Sequence, residues 1–176
     1  MSGKSTYIKQ VALLQIMAQC GSFVPAQFAS FQIKCSLFAR LNFNDEHTGV
    51  STFSAEMRDI ANILVNATKE DLVLIDELGR GTATLDAIGI AFATAEKLLS
   101  IGCFVFFTTH LSDLVNGLAN AMNVTTLSLD VTVRHESFRK FYLFHIVAYS
   151  AARRVDCCTN TRSNQVKRRW TTTGLI

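Results

Sequence analysis

The sequence predicts an α/β domain on a largely parallel sheet, and three observations carry that expectation. Two short, unbroken apolar runs, Leu72–Ile75 and Cys103–Phe107, have the composition of strands buried on both faces. Longer stretches before, between and after them carry apolar residues at helical spacing. Strand and helix therefore alternate, which within one sheet calls for right-handed crossovers.

The elements follow in chain order. Lys4 to Cys20 is helical and apolar on most faces, and Gly21 stands where a helix stops. After Pro25, the alternation of Phe28, Phe31 and Ile33 predicts short strands. Residues 41–50 are polar and loop-like. Ser51 is a good N-cap, and Phe53, Met57, Ile60 and Leu64 then make residues 52–67 an amphipathic helix. The first buried strand ends in Asp76-Glu77, and a turn at Gly79–Gly81 leads into a helix marked by Leu85, Ile88, Phe92, Ala95 and Leu99. Gly102 closes it. The second buried strand runs into Thr108-Thr109-His110, with a short helix near 111–119 and strands at 124–133 and 138–147. No periodicity continues beyond residue 148. The expected organisation is one domain over residues 1–147 and an irregular basic tail over 148–176.

Composition narrows the classes. A chain of 176 residues, 49% hydrophobic, is long enough to bury one core. No apolar run reaches the ~20 residues that would cross a bilayer, and the first residues lack a secretory signal pattern. Five cysteines without a CxxC pair or histidines at zinc-ligand spacing suit a reducing intracellular compartment. The net charge of +3 is unevenly spread: residues 1–150 sum to −2 and residues 151–176 to +5. The folded part thus offers no broad basic surface for nucleic acid.

Open α/β sheets bind ligands at the carboxyl ends of their strands, and three polar clusters are expected there. Ser2-Gly3-Lys4-Ser5-Thr6 is the second half of a phosphate-binding loop. Gly3 lets backbone approach a phosphate, and the first N–H groups of the helix point at the anion. Lys4 would reach the β/γ oxygens and Ser5 would ligate magnesium. Taken alone, the Gly3-Lys4-Ser5-Thr6 tetrad is weak evidence, because chance or a plain Ser/Thr-rich helix start can produce it. Four apolar residues followed by Asp76-Glu77 strengthen the case: Asp76 would serve the metal, and Glu77 would orient or deprotonate water. The plainer alternative, two acids solvating a strand end, is costly near a buried sheet edge. His110 alone could be structural; beside the other clusters it becomes a candidate γ-phosphate sensor. His47 and His135 lie in polar stretches, and His145 reads as a strand residue.

The string DELGRGTATLDAIGIAFA, Asp76 to Ala93, taken with MSGKSTYIKQ, STFSAEM at 51–57 and TTH at 108–110, resembles the ATPase domain of the MutS family of DNA mismatch-recognition proteins. The resemblance implies a P-loop NTPase of ABC-ATPase type, with ATP and Mg2+ as cofactors and composite sites in a dimer of MutS homologues. By this resemblance Lys4, Ser5 and Thr6 bind nucleotide and metal, Asp76 and Glu77 serve metal and water, and His110 senses the γ-phosphate. Ser51, at a helix N-terminus suited to anions, would face ATP held by the partner. DNA would be gripped by other domains of the parent protein. KSTYIKQVALLQIMAQ, SFVPAQFASF and IGI at 88–90 further resemble the eukaryotic branch that promotes meiotic crossovers, which implies a nuclear protein.

Departures from the family pattern carry expectations too. The loop's first glycine and its feeding strand would precede Met1, so a missing central strand should leave Leu72–Ile75 or Cys103–Phe107 partly unpaired. Asp86-Ala87 stands where the family has Asp-Gly, and residues from Tyr149 onward match neither a glycine-rich segment nor a dimerisation region. Two other functions compete. An ABC-like ATPase of the transporter or chromosome-maintenance type should carry a signature near LSGGQ, where this chain has VSTFSAEM. A non-catalytic, truncated fragment would bind no nucleotide.

Overall fold

In the computed structural model, residues 4–41, 52–130, 141–147 and 169–172 are described. The elements are α1 (Lys4–Gln19), β1 (Leu37–Arg40), α2 (Thr52–Asn66), β2 (Leu72–Asp76), α3 (Thr84–Ile101), β3 (Phe104–Thr109), α4 (Ser112–Leu118), β4 (Val124–Asp130), β5 (Phe141–Val147) and β6 (Arg169–Thr172). They form one sheet of strand order β1-β2-β3-β5-β4-β6.

The sheet has two halves. β1, β2 and β3 run parallel, with Leu72 opposite both Leu37 and Phe104, and they are flanked by helices as expected. β5, β4 and β6 join by antiparallel pairings, so the sheet is mixed rather than mostly parallel.

Side-chain alternation in the parallel half divides the core. Val73, Ile75, Val105 and Phe107 pack with Ile60 and Ile63 of α2, Ala91, Ala95 and Leu98 of α3, and Leu114 and Leu118 of α4. Leu72, Leu74 and Phe106 face the other way, onto Ile8 and Ala12 of α1. β2 is buried at all five positions, which is why its sequence shows no polar alternation. The αL glycine Gly102 (φ 80°) ends α3, its N–H donating to the Leu98 carbonyl at 3.0 Å.

Three expectations need correction. The strands anticipated around Phe28, Phe31 and Ile33 do not form; the edge strand is Leu37–Arg40. Side chains of α1 occupy the backbone groups a strand would have paired. Gln15 Nε2 donates to the Gln32 carbonyl at 2.8 Å, and Gln19 Oε1 accepts from the Lys34 N–H at 2.9 Å. Phe28 and Ile33 are left 68% and 86% exposed, with no second strand to pack beside.

Neither buried strand is left with an open edge: β2 lies between β1 and β3, and β3 pairs with β5 along Phe104–Thr109. An apolar strand with unpaired N–H and C=O groups is costly, and β5 satisfies them by approaching antiparallel. Finally, Arg169–Thr172, in the stretch where no element was anticipated, pairs with β4 from Leu127 to Asp130. Trp and Thr are good strand residues, and β4 offers a second edge. No helix among the described residues is long and apolar enough to cross a membrane.

Candidate functional site

The carboxyl ends of β2 and β3 and the first residue of α1 meet. Lys4, only 4% exposed, sends its Nζ to Glu77 Oε1 at 2.9 Å, joining residues 73 apart in sequence. Both charges are shielded from water, with side-chain exposures of 5% and 19%, so each depends on the other for compensation. Arg80 Nε lies 3.7 Å from Glu77 Oε2 on the solvent side. Burial pushes the Glu77 carboxyl up, but the hydrogen bond and charge of Lys4, with the charges of Arg80 and His110, hold it below the ordinary carboxylate value.

The backbone at Glu77 is unusual. Its φ is 52°, in the left-handed region that non-glycine residues seldom enter. Its N–H donates to the Thr108 carbonyl at 3.0 Å, which carries the parallel ladder one residue past the end of β2 and fixes the point where the chain turns. Such local strain collects at functional sites.

Asp76 is 1% exposed at the last position of β2, directly opposite Thr108, whose hydroxyl donates to Asp76 Oδ1. His110 follows β3 and is exposed. Glu77, Gly79, Arg80, Thr82, Thr84, Ala87, His110 and Leu111 line a cleft of about 430 Å³.

The structure thus brings together Lys4, Asp76, Glu77 and His110 from the first, second and third predicted clusters. Ser5 is half-buried and Thr6 exposed on the first turn of α1, beside Lys4. Ser2, Gly3 and Ser51 lie outside the described residues. Sequence reasoning missed Thr108 and Glu56. Thr108 had a signal, since a threonine two residues before His110 on an apolar strand falls in register with Asp76. Glu56 had one as well: it shares the buried stripe of α2 with Ile60 and Ile63 and is itself 4% exposed. Its Oε1 accepts the Gly79 N–H at 3.1 Å.

The donors available for a metal are hard oxygens, the Asp76 carboxylate and the Ser5 hydroxyl. No group of three His, Cys, Asp or Glu side chains converges among the described residues. Magnesium is held through one or two carboxylates, phosphate oxygens and water rather than by an all-protein cage, so this donor set fits it.

The family MutS domain V matches residues 1–157. MutS protein homolog 4 of Mus musculus is 53% identical over 132 residues, 74% of this chain. DNA mismatch repair protein MutS of Thermotoga neapolitana is 50% identical over 131 residues, and msh-2 of Neurospora crassa is 51% identical over 116 residues, covering 72% and 65% of this chain. The chain spans only 14%, 16% and 12% of the length of these three relatives. With the match extending over most of its residues, the chain belongs to the MutS family, as its domain V.

Proposed function

We propose that the chain is the ATP-binding and ATP-hydrolysing module of a MutS-type protein, a P-loop NTPase of ABC type. The observation that carries this reading is the Lys4–Glu77 contact at 2.9 Å, beside a buried Asp76 and below the His110 cleft. An ammonium, two carboxylates and an imidazole suited to phosphoryl transfer converge on the ends of β2 and β3 and the start of α1, as the reaction requires.

Bound magnesium ATP would supply the γ-phosphoryl group and a metal charge to neutralise its oxygens. The chain's own residues do the rest. Ser5 and Asp76 would hold the metal through oxygen, Asp76 being kept in place by the Thr108 hydroxyl. Lys4 exchanges one anionic partner, Glu77, for another, a phosphate oxygen. Glu77, released, orients the attacking water and takes its proton at a carboxylate oxygen. His110 faces the cleft as a sensor of the terminal phosphate. Ser51 serves the nucleotide of a partner subunit, which makes a MutS-homologue dimer the functional unit. Relatives named DNA mismatch repair proteins support a role on mismatched DNA; the resemblance to the eukaryotic crossover-promoting branch extends the reading to a nuclear role on recombining DNA, with the duplex gripped outside this module.

The test is binding of a fluorescent ATP analogue with magnesium to the intact chain, beside Lys4→Ala and Glu77→Gln. The reading expects binding that Lys4→Ala abolishes, and a Glu77→Gln protein that binds but does not hydrolyse. Absence of binding in every protein would make this a non-catalytic fragment. Hydrolysis by Glu77→Gln at the parent rate would remove Glu77 from its role.

A further inference from the structure

Glu56 is a buried charge for which phosphoryl transfer has no direct use. Its position on α2 repeats with Ile60 and Ile63, so an apolar side chain would serve if packing were the only need. Burying a carboxylate is costly unless a specific partner compensates. The partner is the backbone N–H of Gly79, 23 residues away and two residues beyond Glu77.

Gly79 is held tightly in other ways. Its φ is +85°, and a Cβ placed on it would lie 2.6 Å from the Ala87 Cβ. Upstream, the Glu77 N–H is fixed to the Thr108 carbonyl. Only Leu78, 1% exposed in the core, separates the two anchors. The path of the chain through Glu77 is therefore set by β3 on one side and by α2, through Glu56, on the other.

We propose that Glu56 is a positioning residue for Glu77. By accepting the Gly79 N–H it fixes the 77–82 loop and ties the first turns of α2 to it, so that α2 and the candidate site move as one body. The catalytic consequence rests on the ATPase reading above; the clamp itself does not. Hydrogen bonds to a carboxylate are among the stronger ones, which suits a clamp that must hold a strained turn.

The experiment uses the full chain with Glu56→Ala and Glu56→Gln, the latter keeping an acceptor oxygen. Amide exchange read by 15N NMR should rise about tenfold or more at Gly79 in Glu56→Ala, leaving the amides of β2 and β3 protected and Glu56→Gln close to the parent. ATP turnover in Glu56→Ala should fall on the order of 10²-fold, the cost of a misplaced reacting group. Affinity for the fluorescent analogue should hold within about threefold, and Glu56→Gln should restore most of the rate. Unchanged exchange at Gly79 overturns the clamp. Equal loss of protection across β2 and β3, or a parallel loss of affinity and rate, overturns the positioning role in favour of a merely structural one. A parent chain that does not hydrolyse ATP defeats the ATPase reading, and the exchange arm still decides the clamp.

Discussion

At Gly79 two constraints coincide that a single methyl group would violate. The residue sits at φ +85°, and the nearest atoms to an added Cβ are the Ala87 Cβ at 2.6 Å and Cα at 2.9 Å. Gly79→Ala should therefore cost about 2–5 kcal/mol, combining about 1–2 for the left-handed backbone with about 1–3 for overpacking. Adding Ala87→Gly should return the steric part and leave the backbone part. Urea denaturation of both singles and the double checks this, and strictly additive losses would mean that the two residues do not meet. The candidate site was legible at this scale wherever chemistry follows a strand end. Lys4, Asp76, Glu77 and His110 announce themselves by residue type after an apolar run or at a helix start. Thr108 and Glu56 announce themselves only in part: one precedes His110 by two residues on an apolar strand and the other shares an apolar helix stripe, but what each does depends on which backbone or carboxylate the fold places opposite it.

At the scale of elements, the link from α2 to β2 is held by Asp71. It is 2% exposed, and its Oδ2 accepts from the Thr68 N–H at 2.7 Å and the Thr68 hydroxyl at 2.8 Å. Burial pushes the carboxyl up, but the hydrogen bonds from the Thr68 N–H and hydroxyl outweigh it and hold it below the ordinary value of 3.8. A carboxylate depressed in the folded state stabilises it fully above the unfolded value, and that share is lost as pH falls below about 4. Asp71→Asn should lower stability at pH 7 by about 1–3 kcal/mol and flatten its acid dependence below pH 4. Urea midpoints at pH 7 and pH 3 test it; an unchanged acid slope would remove Asp71 as the source. Most elements were legible because their periodicity coincides with burial: α2, β2, α3 and β3 lie within a residue or two of expectation. The failures share a cause. Residues 28–33 alternate as a strand would, yet Gln15 and Gln19 take the backbone groups at Gln32 and Lys34 first. Arg169–Thr172 forms a strand only because β4 has an edge to offer, and edges are not written in local sequence.

Over the whole molecule, helices and charge are distributed unequally. Among the described residues, one sheet face carries α2, α3 and α4, whereas the other is covered in the parallel half by α1, whose Leu13 and Ile16 remain 61% and 49% exposed. Charge divides along the chain instead: residues 1–150 sum to −2 and residues 151–176 to +5. Neutralising phosphates releases counterions, so affinity for duplex DNA falls with salt by about 0.9 logarithmic units per contacted phosphate for each tenfold rise. A net acidic body disfavours such contacts, and the tail can supply at most a handful. The chain should therefore bind duplex DNA weakly, without sequence preference, and with a log–log salt slope no steeper than about −5. Replacing Arg153, Arg154, Arg162, Lys167 and Arg168 by Gln should abolish that binding while leaving nucleotide affinity unchanged. Fluorescence anisotropy on a labelled duplex from 50 to 200 mM salt measures both. Binding that survives the replacement would locate a DNA surface on the α/β body, and would overturn the division between a module that handles nucleotide and other domains that grip the duplex.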